Sequence, residues 1–543
     1  MKKIIWSLLS VAFALPFVSC SEDAEVTAYL TDDRKNEIAV ENPDKVFSAQ
    51  VSGLYNDLQS YYAQDVQHNY FGQKSFDYLT SLMGNDMVMT NRYGMSIYHY
   101  LLDYGAENYV PTSNRWKEYY RVIDTANQML AAIEEDTTDP AVLKYKAIAL
   151  GMRGYAYLQL TYLYQFSYYV GADGTKWGKG AKYDWSQELC VPIVTEVITG
   201  QQPRSTVAQV HEQLMGDLKE SYDIFESIGM TKTSTPADFD GCVAAMYLAR
   251  AHMIMHNWDE AIKYAQVVIN NFPVLQGEDQ LLQGFSSLTL PDVVFGCGIT
   301  SDNATIYRSW FSQMDAYSAG YAGIGIARIG FKPLVDRIAD DDLRLQWFCC
   351  DRSTGIDIVD DDGKPVRVTL LRDTKHEAAY EYQSVKFIGS GREVVQAGYD
   401  PEKGASGWEL GDYIYLRSEE AYLMKIEALA HKGDASAVTE LESFMQTRQP
   451  GYTCPVSAKA DLLEEINFQK RVEFWGEGIE YLDNRRLNIP VDRSDATWGA
   501  ANNNHFSGAK LKAEQENTLF RYQLPLSEIE NNKMISAADQ NPL

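Results

Sequence analysis

The chain has 543 residues, 45% of them apolar, which supports a folded body longer than one compact core usually holds, and so several domains or an architecture that grows by stacking. A formal charge of −27 argues against nucleic acid or an anionic bilayer surface as partners, because both repel an acidic protein. Neutral or cationic ligands suit it better, and 36 tyrosines with 10 tryptophans exceed the needs of core packing, pointing to exposed contact surface.

At the N-terminus Lys2 and Lys3 precede an apolar run from Ile4 to Leu15, and Val18 and Ser19 lead to Cys20. This pattern predicts a cleaved export signal over residues 1–19. The run falls short of the about 20 residues that cross a bilayer. A cysteine directly after the cleavage site is what bacterial lipoprotein processing acylates, although Phe17 stands where such boxes usually carry leucine. The acidic tag Ser21, Glu22 and Asp23 resembles the signal that sends some lipoproteins to the outer face of the outer membrane. The expected product is an outer-membrane protein, lipid-anchored through Cys20 and facing the cell exterior, since several acyl chains hold a protein durably where one does not. Residues 20–44 are polar and aperiodic, as a flexible tether would be.

The body begins near Lys45, where Phe47, Val51, Leu54, Tyr55, Leu58 and Tyr62 recur at helical spacing. Helical pairs follow over about 113–166, with Pro140 opening the second helix, and over about 206–271, with Thr206 as a cap. Phe239 to Met255 and the stretch from Trp258, NWDEAIKYAQVVI, read as consecutive helices, the latter similar to the first helix of a tetratricopeptide repeat. A third group spans about 412–487: helices over Asp412 to Ala430 and Ala435 to Arg448, then one continuous helix from Leu462 to Leu487. Between about 272 and 411 the helical pattern lapses into glycine, aspartate and aromatics, a loop-rich insertion. There Val359 to Val366 reads as a hairpin turn joining short strands.

Candidate chemistry is sparse. Apart from Cys20, the cysteines Cys190, Cys242, Cys297, Cys349, Cys350 and Cys454 are irregularly spaced and form neither a disulfide framework nor paired metal ligands. The acidic turn at 360–362 fails as a calcium loop because Ile358 occupies the first ligand position. His252 and His256 share a helix face, but Met253 replaces the glutamate a zinc protease uses as base. In GADGTKWGKG, Asp173 stands at the first glycine of a phosphate loop, and no Ser or Thr follows the lysine. No G-x-S-x-G elbow occurs. The reading is a protein without catalytic residues, metal or cofactor.

With these elements in order, the chain resembles the SusD/RagB family of outer-membrane nutrient-binding lipoproteins over nearly all of its mature length. RWKEYYRVIDTANQMLAAI (115–133) and ALGMRGYAYLQLTYLY (149–164) resemble the family's first repeat pair, and Val191 to Val194 its Val-Pro turn. LVDRIADDDLRL (334–345) resembles its Asp-rich segment, YLRSEEAYLMKIEA (415–428) its Leu-Arg-x-x-Glu helix, and QKRVEFWGEGIEYLDNRR (469–486) its Arg-x-Glu-x-x-x-Glu-Gly helix. LPLSEIENN, then Asp539 to Pro542, is similar to the closing motif; Gly154 departs from the usual alanine, and Leu543 stands where the family often continues Gly-Tyr. The resemblance implies a mainly α fold over 45–543, a right-handed helical repeat of four tetratricopeptide-like pairs with an irregular, loop-rich ligand-binding portion containing short β-hairpins. It also implies a lid over a SusC-like TonB-dependent transporter, to which it delivers oligosaccharides or polysaccharide fragments. An oligopeptide-binding lid of the RagB type, or a surface hydrolase, are the alternatives.

Sugar rings present apolar faces and polar rims, so a site for them needs flat aromatics beside Asn, Asp or Arg. Two stretches supply that mix, and by region both match where the family builds its site. The first holds Asp86, Asn91, Arg92, Tyr98, Tyr104 and Tyr109, and the second Trp310, Tyr317 and Tyr321. Trp177, Tyr183 and Trp185 form a weaker third group.

Overall fold

A computed structural model describes residues 43–59, 68–90, 94–180, 182–197, 200–300, 308–318, 320–323, 325–349, 355–359, 365–369, 380–389, 411–515 and 518–543. Cys20, the export signal, residues 20–42 of the expected tether, Cys350 and the turn at 360–364 lie outside them, while Pro43 and Asp44, expected in the tether, open the helix Pro43–Gln59. The fold is mainly helical, as the repeat pattern predicts. Helices Val110–Ala131, Pro140–Tyr164, Val207–Ser227, Gly241–Ile254 and Trp258–Ile269 pack each against the next. Ser418–Lys432 then lies against Trp258–Ile269 and carries Ser436–Met445 and Lys459–Glu473, so the row of helices closes across the insertion. No helix among the described residues is long and apolar enough to cross a membrane.

Local chemistry sets the ends of these helices. Asp139 accepts from the Ala141 N–H and Asp240 from that of Val243, while Thr206 and Gln209 form a reciprocal capping box, each satisfying backbone donors the first turn leaves open. Gly433, at φ 74°, ends Ser418–Lys432 in the left-handed conformation that spares it a side-chain clash. Pro140–Tyr164 and Gly241–Ile254 are buried on nearly every side, having helices on both flanks, and accordingly carry no polar stripe.

Two expectations need correction. Tyr413–Arg417 is a strand, not the start of a helix, and pairs antiparallel with Val293–Cys297. Its apolar side chains are buried by that distant partner, a constraint invisible to local periodicity. The predicted helix over 462–487 is two helices, Lys459–Glu473 and Ile479–Leu487, parted at Gly476 and Gly478 with φ of 84° and 81°. A Cβ at Gly478 would stand 2.9 Å from Thr80 Oγ1 and 3.0 Å from Asp77 Cα. Gly478→Ala is therefore expected to cost at least the about 1–2 kcal/mol of a left-handed L-residue, seen as a lower urea midpoint at unchanged slope.

The insertion has its own core, with Trp310, Phe311, Trp347 and Phe348 packed on Trp475 and Phe468 from the repeat side. A four-stranded antiparallel sheet runs through it in the order Met87–Met89, Arg328–Gly330, Gln383–Ser384 and Phe348–Cys349. The predicted hairpin is present as Gly355–Val359 paired with Pro365–Thr369.

Candidate functional site

The charged residues of the recognised motifs are interior. Glu473 is fully buried; it accepts from Arg448 at 3.0 and 3.1 Å, and Arg417 and Arg344 approach at 3.3 and 3.4 Å. Arg417 also grips Glu477, and Arg344 pairs with Asp342 of the Asp-rich segment at 2.7 Å. Burial alone would raise the Glu473 carboxyl, but Arg448, Arg417 and Arg344 outweigh it and hold the group well below the usual carboxylate range. These residues join the insertion to the repeat helices. Asp292 and Glu419, the kind of carboxyl pair a hydrolase could use, lie fully enclosed in the same cluster; burial and then Glu419 push the Asp292 carboxyl up.

The sheet positions the aromatic segments. Met89 stands opposite Arg328 in an antiparallel ladder, so the chain leaving Met89 toward Tyr98 and the chain arriving at Arg328 from Tyr321 depart from the same end. The two stretches singled out in the sequence are thus entered from neighbouring strand ends. Tyr98 is 37% exposed and its ring lies 6.3 Å from that of Tyr109, which is half-buried. Met95 and Val110 beside them are also exposed. The intervening rings anchor this segment: Tyr100 bonds to His505 Nδ1 at 2.5 Å, and Tyr104 stacks on His99 at 4.9 Å and donates to the Leu519 carbonyl at 2.5 Å.

On the other side Tyr321 is half-buried, its hydroxyl 2.5 Å from His68 Nδ1. Burial first, then Arg308, lowers the His68 pKa, so near neutral pH the imidazole is uncharged. Tyr380, 38% exposed, donates to the Gly325 carbonyl at 3.4 Å and brings a third segment beside Gly325. His68 and Tyr380 were not singled out in the sequence; neither sits in a periodic pattern, and only tertiary contacts reveal them.

Other expected site residues face inward. Asp86 is buried and held by Arg471 Nε at 2.8 Å, because its segment is strapped under the Lys459–Glu473 helix. Tyr104 has no exposed surface. Trp310 is 1% exposed, edge-on to Phe387 at 5.0 Å with Lys74 Nζ 4.2 Å from its ring, and Tyr317 is buried with Val385 and Ile388. Packing claims these four, leaving Tyr98, Tyr109 and Tyr321 at the surface. Asn91 and Arg92 lie outside the described residues. Of the third group, Trp177 packs on Leu487 and Ile489 and Trp185 on Phe166, while Tyr183 is exposed.

His252 stacks on Tyr264 and His256 on Trp258, so each imidazole has its own aromatic partner. No group of His, Cys, Asp or Glu placed to hold a metal ion occurs among the described residues. The exposed tyrosine edges and neutral polar groups offer stacking faces and hydrogen bonds, the chemistry of a binding surface.

Comparison with known proteins agrees with this architecture. Residues 33–237 match the family model of SusD-like proteins described as starch-binding and associating with the outer membrane, and residues 370–543 match that of the SusD family. A SusD-like carbohydrate binding protein from Bacteroides vulgatus superposes with a TM-score of 0.70 at 22% identity, over 92% of this chain and 98% of its own. A SusD superfamily protein from Bacteroides thetaiotaomicron gives 0.68 at 20% identity, over 92% and 99%. Surface glycan-binding protein A from Bacteroides uniformis gives 0.59 at 14% identity, over 92% and 99%. No curated protein sequence matches. With both halves matched and the architecture shared end to end, the chain belongs to the SusD/RagB family.

Proposed function

We propose that this protein is a surface lipoprotein, anchored through Cys20, that binds oligosaccharides or polysaccharide fragments and passes them to a SusC-like TonB-dependent transporter as its lid. The observation that supports the reading is the presence of surface tyrosines, Tyr98 beside Tyr109 and Tyr321 beside His68, on segments entered from the paired strands Met87–Met89 and Arg328–Gly330. A related fold borne by a surface glycan-binding protein supports it. The pairing of tyrosine faces with neutral polar groups fits uncharged sugar rings. Cys20 acylation is expected to fix the mature chain to the outer membrane, and Cys20→Ser to release it.

Isothermal titration of the mature protein against a panel of neutral oligosaccharides tests the binding step. Tyr98→Ala and Tyr321→Ala are each expected to weaken the best ligand roughly tenfold, the value of one stacking contact, with melting temperature nearly unchanged. A panel without binding, or wild-type affinity in both variants, refutes the assignment. Preference for cationic peptides with steep salt dependence would favour the oligopeptide reading; release of product from a polysaccharide would favour a hydrolase.

A further inference from the structure

Arg115, on the Val110–Ala131 helix, carries a charge that nothing around it balances. It is 2% exposed, forms no ion pair among the described residues, and its Nη2 has no hydrogen-bond partner. The groups beside it, the Tyr119 and Tyr522 hydroxyls and the Phe76 ring, are neutral. Glu118, one turn along the helix, does not pair with it, and burial pushes that carboxyl up to about 8, so near neutral pH it is largely uncharged. Arginine keeps its proton inside a protein, and an unmatched charge in a low-dielectric interior is costly. Other buried arginines that lack a carboxylate are treated differently. Arg328, Arg485 and Arg493 each donate to oxygens of three residues. Arg115 has no such set.

The same side chain lines an interior cavity of about 30 Å³ where the helices Gln73–Ser81, Val110–Ala131, Pro140–Tyr164, Gly241–Ile254 and Ile479–Leu487 meet. About 10–15 Å³ suffices for one water. The Tyr162 and Tyr247 hydroxyls and the Gln159 amide belong to this lining and make no hydrogen bond among the described residues. Arg250, also in the lining, gives Nε and Nη2 to Glu420 at 2.5 and 2.6 Å and keeps Nη1. The two carboxylates of the cavity are already matched. Asp77 lies 3.3 Å from Lys74 Nζ and accepts from Gln73 at 2.9 Å, and Glu477 accepts from Arg417 and Lys386 at 2.9 and 2.6 Å. The charge left over is that of Arg115.

We propose that this cavity binds a monatomic anion of the size of chloride, with the Arg115 guanidinium as its counter-charge and the Tyr162 and Tyr247 hydroxyls and the Gln159 amide as donors. Sulfate and phosphate, with five heavy atoms each, exceed the space. Five helices supply the lining, so the site exists only in the folded chain, and the ion stabilises that state by mass action.

Crystals of the mature protein grown from sodium bromide are expected to show an anomalous bromide peak inside the cavity. In solution, chloride titrated to about 0.1 M against gluconate at fixed ionic strength should raise the melting temperature by about 2 °C. Tyr162→Phe and Tyr247→Phe each remove one donor while keeping the ring, and should move the midpoint of the chloride dependence to a concentration about threefold higher or more. Arg115→Met should abolish the difference between the two salts; if that variant does not fold, the tyrosine variants and the bromide peak decide. Water alone in the cavity, bromide confined to the protein surface, or equal melting temperatures in the two salts overturns the proposal. So does a chloride effect undiminished in both tyrosine variants.

Discussion

Glu473→Ala is expected to lower the unfolding free energy by about 3–5 kcal/mol, the effect of removing one partner from a buried ion cluster. The carboxylate is sealed from water among the guanidiniums of Arg344, Arg417 and Arg448. Without it three cations remain in a low-dielectric interior with fewer acceptors, and none can move to solvent without opening the core. The cost should show as a large drop in urea midpoint and melting temperature. Glu440→Ala is the control: its pair with Lys425 at 2.8 Å is half-exposed, so its loss should change stability by less than about 1 kcal/mol. Equal effects of the two substitutions would refute the role given to Glu473. Because the cluster joins residues of the insertion to residues of the repeats, both probes of the insertion and probes of the helices should lose stability together in Glu473→Ala.

The second large effect is on the pH dependence of stability. Burial pushes the Glu118 carboxyl up to about 8 despite Arg115 and Arg121, and burial with Asp86 does the same for Glu480. These groups bind protons more tightly when folded, so stability rises as pH falls from about 8 toward 4.5. Glu477 behaves oppositely. Burial would raise it, but Arg417 and Lys386 hold it at about 2, so its contribution is present above 4.5 and lost as pH falls from there to about 2. That loss is about 3 kcal/mol for this carboxyl alone. Burial draws the Lys386 ammonium down to about 8 against the pull of Glu477. The folded state sheds that proton first, so stability recovers as pH rises from about 8 to 10.5. The expected curve has a maximum near pH 5, a steep acid limb and a dip near pH 8. Urea midpoints measured across pH 2.5–10 would check it. Glu477→Gln should flatten the acid limb while lowering the maximum, and Glu118→Gln should weaken the slope between pH 5 and 8. A monotonic rise from pH 3 to 8 would contradict these assignments.

The repeat helices were legible because each carries its own local instructions. Thr206 with Gln209, Asp139 before Pro140, and the apolar spacing of Val210, Leu214, Leu218 and Phe225 are sufficient to start a helix and to orient it. The glycines at 476 and 478 were visible too, but their reading as a break needs the neighbouring helix Gln73–Ser81, whose Thr80 and Asp77 fill the space beside Gly478. The strand Tyr413–Arg417 was illegible for a related reason, since its partner lies in another part of the chain. At the candidate site, composition and region singled out two aromatic segments, which are entered from neighbouring strand ends. They did not separate Tyr98, at the surface, from Tyr104, enclosed six residues later. Exposure belongs to the packed whole: besides neighbouring His99, the groups that enclose Tyr104 are Tyr522 and Leu519 from a distant segment.

The strap at Asp86 has a consequence for the order in which the molecule forms. Its carbonyl accepts from Trp475 Nε1 across 389 positions of sequence, and Phe331 donates to the same carbonyl from the intervening insertion. Three remote parts of the polypeptide must therefore meet before the paired strands that lead to Tyr98 and from Tyr321 are in place. Chains dominated by such distant contacts fold slowly. A half-made or truncated chain would display the same rings without their arrangement, so the binding proposed for them should be acquired late in folding and lost early on mild denaturation.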